Sequence, residues 1–279
     1  NASSEIEYRG AWAKRVGDPG RGVRTIIEMV NHTRLDCLAG SAGLIRGAAA
    51  HAVWHCDRRT TFQRRLVDQP LMREVLAELS MEAEAALALA FDVAWSFDRA
   101  AEDPDAAAYA RIATPLAKYW ICKRAPAIAY EAMEAHGGAG YVEEHPLPRL
   151  FRQSPLNAIW EGSGNVIALD VLRALHKDAR ARAALHDRLL EARGVYPALD
   201  MKIDAVEAML KDGFSEGAAR RFAETAALAL TGAALVRSGV SAAADAFAQR
   251  RLSDCAISLG AGSGEIDEDA LIERARLTI

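Results

Sequence analysis

The stretch VRTIIEMVNHTRLDCLAGSAGLIRGAAAHAVWHCDR, residues 23–58, decides the fold. Its apolar residues Ile26, Ile27, Val30, Leu35, Leu38, Ala42, Ile45, Ala49 and Val53 recur at the spacing that lines one face of an α-helix. Gly40, Gly43 and Gly47 fall inside the run. On a helix this long such small residues more often admit a close neighbour than break the helix.

Working outward, the same period returns downstream. Gln69-Pro70 opens a second helix, with proline in the first turn where a missing N–H costs nothing. It runs through Leu76, Leu79, Ala83, Leu87 and Phe91 towards Ala100. Asp103-Pro104-Asp105 starts a third, through Tyr109, Ile112, Leu116, Tyr119, Ile128 and Met133, with Pro115 tolerated or kinking it. Gly137-Gly138 stops that helix. A loop with Gly140, Pro146 and Pro148 leads to a short segment, 157–165, and a fourth helix from about Gly164 to Lys177. Four such helices predict a bundle over residues 21–177. Shorter amphipathic helices are expected near 179–192, 197–211, 216–237, 241–255 and 268–276, forming an accessory helical domain over 178–279. No alternating run follows Val23, so the expected fold class is all-α: a four-helix bundle with a helical C-terminal extension.

Upstream, Gly17-Asp18-Pro19-Gly20-Arg21-Gly22 is a turn cluster without GxGxxG spacing or a surrounding βαβ pattern, which argues against a phosphate loop. Glu5-Ile6-Glu7-Tyr8 reads as the end of a strand whose partners belong to a preceding β-domain, so residues 1–20 are expected to be its tail. Asn1-Ala2 reads as a remnant of expression and is set aside.

Hydrophobic residues make up 51% of the chain and aromatics only 6%; alanine and leucine supply most of the apolar mass, which favours closely packed helices. The net charge of −4 carries neither a nucleic-acid footprint nor an acidic tail. Cys37, Cys56, Cys122 and Cys255 are scattered, which reads as reduced thiols of a cytoplasmic protein. His51 and His55 lie one helical turn apart beside Cys56, but no third and fourth ligand is evident nearby, so a packed helix face is expected and no metal. The longest apolar stretches, 85–91 and 225–236, fall short of the roughly 18–20 residues of a membrane span.

One segment carries candidate chemistry. Ile159-Trp160-Glu161-Gly162-Ser163-Gly164-Asn165 sets a carboxylate between an indole and a glycine-serine-glycine turn, directly before a helix. A carboxylate there is a candidate general base, and helix N-terminal amides favour polar or anionic groups. The same residues also read as a plain helix cap, with Ser163 or Asn165 capping and Glu161 in solvent.

Three stretches together resemble the C-terminal domain of acyl-CoA dehydrogenases. Arg59-Thr60-Thr61-Phe62 is similar to that family's Arg-x-x-Phe-Gly. Glu134-Ala135-His136-Gly137-Gly138-Ala139-Gly140-Tyr141 is similar to Gln-x-x-Gly-Gly-x-Gly-aromatic. Arg152 followed by Trp160-Glu161-Gly162-Ser163 is similar to an arginine and then aromatic-Glu-Gly-Thr/Ser. The order and spacing agree over roughly residues 17–177. Segments 29–36 (with Thr33-Arg34), 68–73, 121–124 and 159–170 most resemble the alkylation-response branch, which also carries an extra C-terminal helical domain. The departures are Gln63 for the glycine after Phe62, Glu134 for the glutamine and Gln153 for the acidic residue after Arg152.

The resemblance implies an FAD-dependent α,β-dehydrogenation of an acyl-CoA or related thioester, with Glu161 as the base. Thr33 stands where some members carry an alternative base. It implies flavin contacts from Arg59, Phe62, Gly137, Gly138, Ser163 and Asn165, and substrate-side roles for Arg34, Trp160, Gly162 and Arg173. It implies a homodimer or homotetramer with flavin contacts across subunits. Plainer roles stand beside these: Arg59 as a helix-end charge, Gly137-Gly138 as a C-cap, Trp160 as core, Arg173 as a neutraliser of Glu161. Two other functions compete, DNA binding as the branch suggests, and a helical assembly module. From Lys177 onward 14 Lys/Arg face 16 Asp/Glu, a net of −2, so DNA binding would fall to local pairs such as Arg220-Arg221 and Arg250-Arg251.

Overall fold

The computed structural model describes residues 4–253 and 256–277. The decisive stretch forms a single helix, α1 (Gly22–Arg58), which buries Leu38, Ala42, Ile45, Ala49, Val53 and Cys56 on one face. A short hairpin, β1 (Thr60–Thr61) and β2 (Arg64–Arg65), leads to α2 (Pro70–Arg99), which begins on its proline. Helix α3 (Pro104–Ala135) is capped by the Asp103 carboxylate, which accepts from the amides of Asp105 and Ala106, and it stays helical through Pro115 and Pro126. Then come α4 (Pro146–Gln153), α5 (Leu156–Ile159) and α6 (Gly164–Lys177). The remainder folds as α7 (Ala179–Leu190), α8 (Pro197–Asp212), α9 (Ala219–Ser238), α10 (Ser241–Phe247) and α11 (Glu268–Ala275), with a π-helical turn, Ala248–Ser253, continuing α10. Part of the helix expected over 241–255 therefore winds differently, and Cys255 lies outside the described residues.

Helices α1, α2 and α3 pack pairwise on one another. The fourth bundle helix, α6, lies along α3 and against α9, while α9 covers α2 and α3, α7 covers α3 and α11 covers α2. One hydrophobic cluster runs from Leu38 to Ala275, so residues beyond Lys177 extend the bundle's own core. No helix among the described residues is long and apolar enough to cross a membrane.

One expectation changes, and one stands as it was. Residues 4–21 carry no regular structure and are exposed, Glu5 to Tyr8 among them. A strand exists only through a ladder with a neighbour, and among the described residues none lies beside this segment. The Arg250-Arg251 pair is not a surface patch. Both residues are buried, 1% and 5% exposed, and the π-helical turn holds both inward.

They meet a row of carboxylates, Glu74, Glu78 and Glu82, spaced one helical turn apart on α2. Arg250 pairs with Glu74 at 2.9 Å and reaches Glu78 at 3.5 Å. Arg251 pairs with Glu78 at 2.8 Å and Glu82 at 2.6 Å. Arg124 from α3 closes the row on Glu82 at 2.6 Å. Burial pushes the Glu82 carboxyl up, but Arg124 and Arg251 outweigh it and hold the group below its ordinary value. Removing one partner of such a buried pair leaves an uncompensated charge and costs about 3–5 kcal/mol. Arg251→Met is accordingly expected to lower unfolding stability by about that amount in urea titrations, whereas Arg9→Met, at an exposed ion pair with Glu7, changes it by less than about 1 kcal/mol.

Candidate functional site

The segment Trp160–Gly164 is the turn between α5 and α6. Trp160 is the C-cap of α5, extended at φ −76°, ψ 163°. The next residue, Glu161, takes φ +58°, and Gly162 takes φ +102°. The glycine fits that backbone, but the glutamate does not, and a non-glycine residue held there costs of order 1–3 kcal/mol. Two buried cations hold the turn. Arg34 of α1 donates through Nε to the Glu161 carbonyl at 3.0 Å, and Lys118 of α3 donates through Nζ to the Gly162 carbonyl at 2.9 Å. Arg34 is itself fixed by Asp170 of α6 at 2.7 Å, a carboxylate shared with Arg111 at 2.9 Å. Burial pushes Asp170 up, yet Arg111 and Arg34 together hold it below its ordinary value.

The Glu161 carboxylate itself accepts no hydrogen bond and joins no ion pair among the described residues. Nor does the turn behave as a simple cap. Ser163 occupies the N-cap of α6, but its hydroxyl makes no capping bond. Behind the turn a polar chain crosses the bundle: Trp160 Nε1 donates to Asn157 Oδ1 at 2.9 Å, and Asn157 Nδ2 donates to Ser41 Oγ at 3.0 Å. Ser41 then reaches Cys122 Sγ at 3.4 Å. Burial pushes the Cys122 thiol up to about 11 and also raises Cys37.

Of the residues singled out by sequence, Arg34, Trp160, Glu161, Gly162 and Ser163 thus meet at one turn. Arg34 is 8% exposed and spends its guanidinium on the Glu161 carbonyl and Asp170. Asn165, on the first turn of α6, accepts from Arg220 Nη1 at 3.4 Å. Arg173 lies exposed on α6, three residues after Asp170. Sequence reading missed Lys118, Arg111 and Asp170. A signal existed for Lys118: Thr114, Lys118 and Cys122 fall at helical spacing on the buried face of α3.

The other singled-out residues lie elsewhere. Arg59 follows α1, and Phe62 tips the hairpin, 96% exposed. Phe62 and Gln63 take φ +50° and +64°, so this two-residue turn is left-handed without any glycine. Arg59 forms no ion pair among the described residues. Gly137 takes φ +60°, and a Cβ on Gly137 or Gly138 would meet nothing within 4 Å. The two pieces share one end of the bundle, because His55, a turn before Arg59, stacks on His136 at 4.4 Å. His136 also meets His145 at 5.6 Å, so His51 and His55 do gain histidine neighbours that sequence distance concealed. His55 and His136 stack while His145 meets His136 edge-on, and no group of three or more His, Cys, Asp or Glu among the described residues is arranged to hold a metal. From Arg34 to Arg59 α1 rises about 37 Å at 1.5 Å per residue.

Comparison with known proteins places the chain in a family. The family model described as acyl-CoA dehydrogenase, C-terminal domain, matches residues 20–176. This chain belongs to the acyl-CoA dehydrogenase family. It is 42% identical over 211 residues to a putative acyl-CoA dehydrogenase, AidB, of Escherichia coli K12, covering 76% of this chain and 39% of that protein. It is 32% identical over 216 residues to acyl-CoA dehydrogenase family member 11 of Caenorhabditis elegans, covering 75% of this chain and 35% of that protein. The crystal structure of C. elegans ACDH-11 in complex with C11-CoA superposes with a TM-score of 0.73 at 27% identity, over 94% of this chain and 44% of that one. The chain therefore spans somewhat more than a third of the length of these curated relatives.

The histidine cluster yields a stability prediction. Burial lowers His136 to about 4, with His55, His145 and His51 adding repulsion, while its bond to the Ala132 carbonyl opposes the drop. The unfolded chain takes up this proton near the ordinary histidine value of about 6.5. Between these values the unfolded state holds more protons, so stability falls as pH is lowered from about 6.5 to 4. Unfolding measured across this window is expected to show that slope, and His136→Phe is expected to flatten it.

Proposed function

We propose that the chain supplies the base-bearing helical part of an FAD-dependent acyl-CoA dehydrogenase, with Glu161 removing the α-proton of an acyl-CoA thioester. The observation that carries this reading is the Glu161 turn: a strained glutamate, anchored through its backbone, whose carboxylate has no structural partner. A side chain held at such cost without a packing role is what a positioned general base requires. The buried anchors fix the backbone that carries the carboxylate, so proton transfer proceeds with little reorganisation. Trp160, half-exposed beside the base, offers an apolar wall that excludes water from the acyl chain.

The residues at the hairpin end fit a flavin nucleotide. Arg59 brings an uncommitted cation suited to a pyrophosphate, Phe62 an outward aromatic, and Gly137 and Gly138 bare backbone over which a nucleotide can lie close. When bound, the flavin supplies the two-electron acceptor for the β-hydrogen. The roughly 37 Å along α1 between Arg34 and Arg59 supports a site shared by two subunits, one giving Glu161 and Ser163, the other Arg59, Phe62 and the glycine pair. A homodimer or a dimer of dimers is the assembly proposed.

Glu161→Gln in the complete flavoprotein keeps the side chain's shape but cannot accept the proton. Flavin reduction by a saturated acyl-CoA is expected to slow by about 10²–10⁴-fold with flavin affinity unchanged; reduction at the wild-type rate would place the base elsewhere. If the site is shared, co-assembling Glu161→Gln subunits with Phe62→Ala subunits restores turnover that neither homo-oligomer has. Absence of any restoration would argue for a site within one subunit.

A further inference from the structure

Lys118 is among the largest fully buried side chains of the protein, 2% exposed, in the middle of α3. A buried ammonium is costly and is normally paired with a carboxylate. Among the described residues Lys118 has no ion pair within 4.0 Å; its hydrogen bond is to the Gly162 carbonyl at 2.9 Å. The groups around it are the thiols of Cys37 and Cys122, the guanidinium of Arg34 and, beyond the carbonyl it holds, Glu161. Burial pulls its pKa below the ordinary lysine value. As core filling this residue is poor chemistry, since a methionine would occupy the same volume without a desolvation cost.

The neighbouring contacts show what the ammonium gains. Arg34 fixes the carbonyl of Glu161, while Lys118 fixes the next carbonyl, that of Gly162. Two successive peptide planes are thereby held from two different helices, α1 and α3. With Arg34 alone the Gly162–Ser163 peptide is free to rotate through ψ of Gly162 and φ of Ser163, and the turn that carries the positive φ of Glu161 loses one of its two fixed planes. Two anchors over-determine it, the condition under which strain of this kind persists. Arg34 has a second task at Asp170. Lys118 has none among the described residues.

We infer that Lys118 is a positioning residue for the Glu161 turn, acting through the Gly162 carbonyl to hold the base in its strained conformation. The inference rests on the reading of Glu161 as the base. Its first test does not, because it follows the turn itself. In Lys118→Met, amide hydrogen exchange over residues 160–166 is expected to accelerate about tenfold or more, a local opening, while core peptides of α1 and α2 keep their protection. Lys118→Arg, which keeps a buried cationic donor, is expected to recover most of the protection. In the flavin-loaded complete protein, a base displaced by about 1 Å is expected to slow flavin reduction by about 10²-fold, with the affinities for flavin and acyl-CoA unchanged. Unchanged exchange over 160–166 in Lys118→Met overturns the inference. So does acceleration spread equally over every helix, with no recovery in Lys118→Arg, since that marks a purely structural lysine. Failure of the base reading would look different: Glu161→Gln would reduce flavin normally while the exchange result stood.

Discussion

A row of carboxylates facing inward from α2 constrains everything after Lys177. Glu78 is 0% and Glu82 3% exposed. An ionised carboxylate in such a place is untenable unless cations are brought to it. Arg124 reaches only Glu82. The rest of the compensation comes from Arg250 and Arg251, more than 160 residues downstream of the row. The chain must therefore carry its C-terminal segment back across α2, and the π-helical turn allows two successive arginines to enter together. Arg250 then adds bonds to the carbonyls of Gly262 and Gly264, so the loop before α11 is ordered by the same guanidinium. A Cβ at Gly262 would lie 2.7 Å from Arg250 Nη1, so little other than glycine fits there.

The turn at Glu161 uses the same kinds of group with the balance reversed. In the α2 seam every buried carboxylate is matched by guanidinium. Around the turn, Arg34 and Lys118 spend donors on backbone carbonyls, Asp170 is consumed by Arg34 and Arg111, and the Glu161 carboxylate is left over. Charge pairing serves cohesion in one place and leaves a carboxylate unpaired in the other. Mutual arrangement, and not the number of ionic residues, separates the two.

Most of the helices were legible because periodicity is a local property. Helix α1 begins at Gly22, one residue before the expected start, and the second helix begins on Pro70 as its sequence indicates. The Trp160–Asn165 turn was legible too, since glycines and a carboxylate before a helix are visible in a single window. What escaped was set by distant partners. Charge counting took Arg250-Arg251 for a surface pair because it cannot see a π-helical turn. The hairpin at Thr60–Arg65 was hidden because Phe62 and Gln63 take up a left-handed turn that sequence rules reserve for glycine or asparagine. His136 and His145 joined His55 only through the parallel pairing of α1 and α3.

Helix α1 then acts as a ruler. It carries Arg34 at the Glu161 turn and delivers Arg59 and Phe62 at its far end, with uninterrupted hydrogen bonding between them. Along the same helix Ser41 ties back to the turn through Asn157, and His55 ties to the glycine pair through His136. Each end is thus fixed to α3 independently, and α3 is equally unbroken despite Pro115 and Pro126. Two rigid helices pinned at both ends cannot bring the Glu161 turn and the hairpin closer within one chain. The Glu161 turn and the hairpin are therefore two separate features held well apart along one rigid pair of helices, and the exposed Phe62 tip projects outward from its own end.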